Sequence, residues 1–303
     1  MAKKPELIAW PERARLTVPV LGAVGGSGRS TVAGLLAASA ADAGLYPVVL
    51  DTCARLSSPW PRWAGEPGGG LRTVPAESPS TQSRVQAAAS LCLSSGGRSW
   101  HVLTDHQDWS APPLVLPEDP WAWYQLAAIG GWDLVVADTA RPAADDVVRS
   151  RSEGRTSVTA GWCGLPYAVP LLVADASADG MHALEGAVMA AVAEGLPLGR
   201  TVVVVVRSAD RSVPAAVKAA TTMLAPRVSA LLELPFDGGL PALGLTVPER
   251  LRSRTWRAAQ QLLKAVLDSA CSAWGDPLPA APVPAPLEPL PTPAISEEVP
   301  SCV

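Results

Sequence analysis

Short apolar stretches recur along this chain at residues 17–23, 46–51, 132–140, 171–174, 201–206 and 228–234. The run 46–51 is unbroken through Val48, Val49 and Leu50, the pattern of a strand covered on both faces, and 201–206 is strongly β-branched, which favours a buried strand over a helix. Between them the apolar positions change to helical spacing. A helix is expected from about Ser30, carrying Val32, Leu35 and Leu36 and stopped by Gly44; others are expected over 120–129, stopped by Gly130 and Gly131, and over about 181–193 and 214–224. A last helix is expected from about Val247, where Thr246 and Glu249 have the spacing of a capping box. Strands alternating with helices predict an α/β fold: a doubly wound, mainly parallel sheet with helices on both faces.

Some stretches fit this rhythm less well. Pro19 lacks the N–H a ladder needs, so pairing in the first strand is expected to begin at Val20. Residues 52–97 are punctuated by Pro59, Pro61, Pro67 and three successive glycines; one helix is expected there, over 80–95, capped by Ser78 with Pro79 in its first position, before a short strand at 100–104. The longest uncharged run, 156–174, holds Gly161, Gly164, Pro166 and Pro170 and reads as a loop entering a strand rather than a membrane helix.

Composition narrows the class. With 48% hydrophobic and 17% charged residues in 303, the chain has material for a sizeable core. The net charge of −4 comes from four acids after Gly275, leaving 24 acids against 24 Lys and Arg in the body, so nothing global points to nucleic acid. The five cysteines are odd in number, scattered and free of C-x-x-C spacing, which argues against a zinc site or a disulfide framework and favours a reducing cytoplasm. Lys3 and Lys4 are followed by Glu6, Pro11 and Glu12, not by the apolar core of a signal peptide. No membrane span is expected. The domain reading is an extension over 1–16, a single α/β domain over 17–270, and a Pro-rich disordered tail over 271–303 whose prolines exclude helix and ladder alike.

The chemistry concentrates where the first strand meets the first helix. Gly25, Gly26, Ser27, Gly28, Arg29, Ser30 and Thr31 form a glycine-rich turn into a helix N-terminus, where inward-turned amides and the helix dipole favour an anion. Nucleotide phosphate is the leading candidate. A second signal is WDLVVADTA, an apolar strand ending in Asp138 at the sheet edge where open α/β folds bind ligands.

VGGSGRST resembles the deviant phosphate loop KGGxGKST of the ParA/MinD ATPases, with Val24 and Arg29 in place of that family's two lysines. WDLVVADTA resembles its YDxxxIDTP segment, and Pro235-Phe236-Asp237 its late IPxDxxL loop. The resemblance spans roughly residues 17–270. It implies ATP or another nucleotide with Mg2+, the loop residues 25–31 on the phosphates, and Ser30, Asp51 and Asp138 around the metal. It implies that Arg29 stands for the phosphate lysine, with the charge kept but a larger, planar head. Asp-x-Asp at the end of the second strand is here Asp51-Thr52-Cys53, and a thiol of ordinary pKa does not replace a carboxylate. Val24 cannot reach a facing subunit's nucleotide with a charge, which puts a nucleotide-sandwiched dimer in doubt. Arg207, a donor only, stands where the family often has a base-reading Asn.

The resemblance also implies nonspecific DNA as a partner, through Arg250, Arg254 and Arg257 with Lys264 on one stripe of the last helix; a solvated helix face explains the same spacing. The eleven tryptophans read mostly as core or loop anchors, with Trp60, Trp63, Trp121 and Trp123 the candidates for an exposed partner patch. Two functions stay open: a degenerate regulatory or scaffold protein that binds nucleotide and a protein partner with little or no hydrolysis, or a slow partition or positioning ATPase. The substitutions at Val24, Arg29 and Cys53 favour the first.

Overall fold

The computed structural model describes residues 7–74 and 80–284. Chain order runs β1 (Leu16–Gly22), α1 (Arg29–Asp42), β2 (Pro47–Asp51), α2 (Trp60–Trp63), α3 (Gln82–Ala88), β3 (Ser90–Leu93), β4 (Ser99–Leu103), α4 (Pro120–Gly130) and β5 (Leu134–Pro142). It continues through α5 (Ala143–Ser152), α6 (Val158–Cys163), β6 (Leu171–Asp175), α7 (Ala178–Ala193), β7 (Val202–Val206), α8 (Ala215–Leu224), β8 (Ala230–Leu234), α9 (Gly239–Leu243) and α10 (Ser253–Trp274). The eight strands form one sheet in the order β3-β4-β2-β5-β1-β6-β7-β8. Every pairing is parallel except β3 against β4.

Both faces of the sheet are covered, as the unbroken apolar strands require. On one face Leu16, Val18, Val20, Val49, Leu134, Val136, Leu171 and Val202 pack against α1 and α10. On the other, Val48, Leu50, Val135 and Ala137 meet α3, α4 and α6. Farther along that second face Leu21, Leu172, Val203 and Val205 meet α7 and α8. The fold class matches the expectation from the alternating pattern.

Pro19 divides its strand by side. On the β5 side pairing runs from Leu16, with Pro19 opposite Ala137. On the β6 side the named register begins at Val20. Thr17 donates its N–H toward that same side, to Tyr167 O at 3.2 Å, so by the period of two the missing N–H of Pro19 falls where no ladder bond is needed.

Four local expectations change. The helix expected over 80–95 stops at Ala88, capped by Thr81, and the chain turns into the antiparallel edge strand β3; Ser78 and Pro79 lie outside the described residues. The run 156–174 contains the short helix α6, capped by Ser157. The last helix begins at Ser253, not Val247, because Asp237 holds its start: Oδ2 accepts from Arg252 N at 2.8 Å and from Thr255 Oγ1 at 2.6 Å. Burial alone would raise the Asp237 pKa, but these bonds and one from Gly239 N hold it below the ordinary carboxylate value. Finally, Trp60 and Trp123 are buried, so with Trp121 exposed and Trp63 half-buried the four do not form a surface patch.

After α10, Leu278 is buried in the α1/α10 core and Ala281 N donates to Arg13 O at 2.8 Å. Residues 285–303, the rest of the Pro-rich tail, lie outside the described residues. Among the described residues no helix is long and apolar enough to cross a membrane.

Candidate functional site

The loop between β1 and α1 sits at the carboxyl edge of the central strand. Gly26 and Gly28 have φ of +77° and +88°, values that other residues adopt only under strain. A side chain at Gly28 would also stand 3.2 Å from Val206. The space over Gly25 and Gly26 is open. Among the described residues the backbone N–H groups of 24–31 find no acceptor, and the Ser27 hydroxyl is buried without a partner. The hydroxyls of Ser30 and Thr31 stand half-buried on the first turn of α1. Unpaired donors gathered at a helix N-terminus are the requirement for an anion cradle.

Beneath this loop the side chains are engaged with one another. Arg29 Nε donates to Asp138 Oδ1 at 2.8 Å, and Arg29 Nη2 lies 3.7 Å from Cys53 Sγ. The other Asp138 oxygen, Oδ2, accepts from Trp60 Nε1 at 2.8 Å. Asp138 is fully buried, and the Arg29 side chain is 16% exposed. Trp60 reaches this position because α1 carries Gly34 there: a Cβ at Gly34 would stand 3.0 Å from the indole. Ser58 fixes the turn into α2, accepting from Trp60 N at 3.1 Å and donating to Asp51 Oδ2 at 2.7 Å.

Asp51 and Asp138 are register neighbours on β2 and β5. Asp51 also accepts from Thr104 Oγ1 at 2.6 Å and from Cys53 N at 3.1 Å. Burial raises its pKa to about 7, with Asp138 adding to the rise and the hydrogen bonds from Thr104 and Ser58 opposing it. The Cys53 thiol is pushed up to about 12, by burial first and then by the charges of Asp138 and Asp51, so it is neutral at physiological pH.

Because Asp51 holds its proton more tightly in the fold than its ordinary value of 3.8 allows, the native state binds more protons than the unfolded chain between about pH 4 and pH 7. Stability is therefore expected to fall as pH rises through that window. Asp51→Asn should flatten the profile, and denaturant unfolding of both proteins at intervals of pH checks it.

As arranged, the residues named for a metal do not fit a magnesium ion. Asp138 has both oxygens bound to donors of this chain, one of them a cation, and Asp51 serves three. Of the set, Ser30 alone makes no side-chain hydrogen bond among the described residues. Arg29, expected on phosphate, is turned down onto Asp138. Arg207 is held by Glu233 at 3.3 Å and by the Arg211 carbonyl. The arginine stripe is divided as well: Arg250 lies outside α10, and Arg254 Nη2 is bound to Asp210 at 3.1 Å and to Phe236 O at 2.7 Å, while Arg257 is exposed.

Solved structures share the whole fold. A ParA family ATPase from Chlorobium tepidum superposes with a TM-score of 0.57 at 12% identity, covering 83% of this chain and 99% of its own. The cell division ATPase MinD of Pyrococcus furiosus gives 0.55 at 17% identity over 84% and 98%. The fold is that of the ParA and MinD ATPases. A structure of pNOB8 ParA bound to nonspecific DNA shares the ParA/MinD fold at 0.53 and 13% identity, over 85% and 99%. No protein-family model and no curated protein sequence matches the chain significantly.

Trp60 is the site residue that sequence reasoning missed. Its contact with Asp138 spans 78 positions, and the only local signal was a Ser-Ser-Pro-Trp turn soon after Asp51.

Proposed function

We propose that this chain is a degenerate ParA/MinD-like protein that binds a nucleotide through residues 25–31, hydrolyses it little or not at all, and works as a regulatory or scaffold protein. The observation that carries this reading is the Arg29–Asp138–Trp60 cluster under the loop. Phosphoryl transfer relies almost wholly on placed charge. Here the cation that would serve the phosphates neutralises the acid that would serve the metal, and the neutral thiol of Cys53 lies beside them. The open amides of the loop support anion binding independently of that machinery.

The partner in this reading is a protein. Arg254 is committed within the fold, whereas Val148, Met189, Val192 and Met223 leave large apolar side chains in solvent on α5, α7 and α8. The test is ATP turnover with Mg2+ by the full chain and by Asp138→Ala. Hydrolysis at the background rate for both is expected; robust turnover that disappears in Asp138→Ala would overturn the reading.

A further inference from the structure

A cavity of about 270 Å³ opens at the carboxyl edge between β2 and β5, beside the anion loop. Thr52 and Thr139, which directly follow Asp51 and Asp138, form part of its wall, but no residue of the loop itself lines it. Leu114, Leu116, Val158 and the indoles of Trp123 and Trp162 make it mainly apolar. The wall is braced: Arg55 pairs with Asp105 at 3.1 Å and donates to Ala111 O at 2.6 Å, fixing the segment that leads to Leu114.

One carboxylate oxygen in this lining lacks a hydrogen bond. Asp146 is 1% exposed; its Oδ2 accepts from Thr159 N at 2.7 Å, while Oδ1 is buried and makes no hydrogen bond among the described residues. Arg141 Nη1 stands 3.7 Å from Oδ1, beyond hydrogen-bond reach, and its side chain is 46% exposed. The threonine hydroxyls do not serve it, since Thr52 Oγ1 donates to Asp138 O and Thr139 Oγ1 to Val20 O. A buried carboxylate oxygen left without a donor is costly, and a ligand donor would remove that cost. Glu118 in the same wall adds a second negative charge; Arg141 and, at longer range, Arg155 are the cations that face the two acids.

We propose that this cavity binds a small organic cation, an amine carried on an apolar or aromatic body. The ammonium would donate to Asp146 Oδ1, and the body would lie among Leu114, Val158, Trp123 and Trp162, where an aromatic wall also favours a cation. Anionic ligands meet Asp146 and Glu118 unfavourably, and neutral apolar ones leave Asp146 unsatisfied. The site is separate from the proposed nucleotide loop and stands whether or not a nucleotide binds.

The test titrates the full chain with 2-phenylethylamine and its neutral counterpart 2-phenylethanol, followed by calorimetry and tryptophan emission. The amine is expected to bind saturably and at least about tenfold more tightly than the alcohol. Asp146→Asn, which can still accept from Thr159 N, should abolish that preference, and Val158→Trp, which fills the cavity, should remove binding of both. Equal affinity for amine and alcohol in the wild type, absence of saturation, or amine binding untouched by Val158→Trp would each overturn the proposal. The wild-type comparison decides it even if Asp146→Asn does not fold.

Discussion

Asp138→Ala is expected to destabilise the protein by about 3–5 kcal/mol, the cost typical of removing one partner from a buried ion pair. The carboxylate is fully buried and serves two donors, so its loss leaves Arg29 Nε and the Trp60 indole N–H without an acceptor in the floor of the loop. Asp138→Asn should fall between the two, because its carbonyl oxygen can accept from Trp60 while the charge opposing Arg29 is gone. Denaturant midpoints at fixed pH measure both. A loss below about 1 kcal/mol for the alanine variant would mean that Arg29 and Trp60 readily find other partners or water.

Trp60→Ala should be comparably severe, at about 3–5 kcal/mol, since a fully buried indole leaves a large cavity. It lies edge-on to Trp63 and Trp100, with ring centroids 5.4 and 6.0 Å away, so three tryptophans lose packing together. Trp60→Phe isolates the polar part: it keeps most of the ring but leaves Asp138 Oδ2 without its donor, at a cost of about 1–3 kcal/mol. A double-mutant cycle between Trp60→Phe and Asp138→Asn should show coupling above about 0.5 kcal/mol. Additive effects would place the stabilisation in packing alone.

These expectations rest on a cluster that the sequence revealed only in part. The strands were readable because residues buried on both faces give unbroken apolar runs, as in the five valines of β7. Gly26 and Gly28 were readable because a positive φ demands glycine whatever the surroundings. Asp138 was readable as an acid ending an apolar strand. Its partners were not: Arg29 and Trp60 approach it across 109 and 78 positions, and periodicity carries no information about such contacts. The same limit hid Asp146, whose place in a cavity depends on α6 packing against α5. It also misplaced the start of α10, where the local Thr246/Glu249 pattern lost to the two hydrogen bonds that Asp237 accepts from Arg252 N and Thr255 Oγ1. The edge strand β3 was missed because its four residues exist as a strand only by pairing with β4.

In the proposed reading the loop holds a nucleotide by its amides while Arg29, rather than a metal ion, neutralises Asp138. Calorimetric titration of the full chain with ATP, in excess Mg2+ and again in EDTA, tests it most directly. Saturable binding is predicted in both, with dissociation constants agreeing within about twofold. Affinity that rises tenfold or more with Mg2+, by roughly 1.4 kcal/mol, or no binding of ATP under either condition, would contradict it.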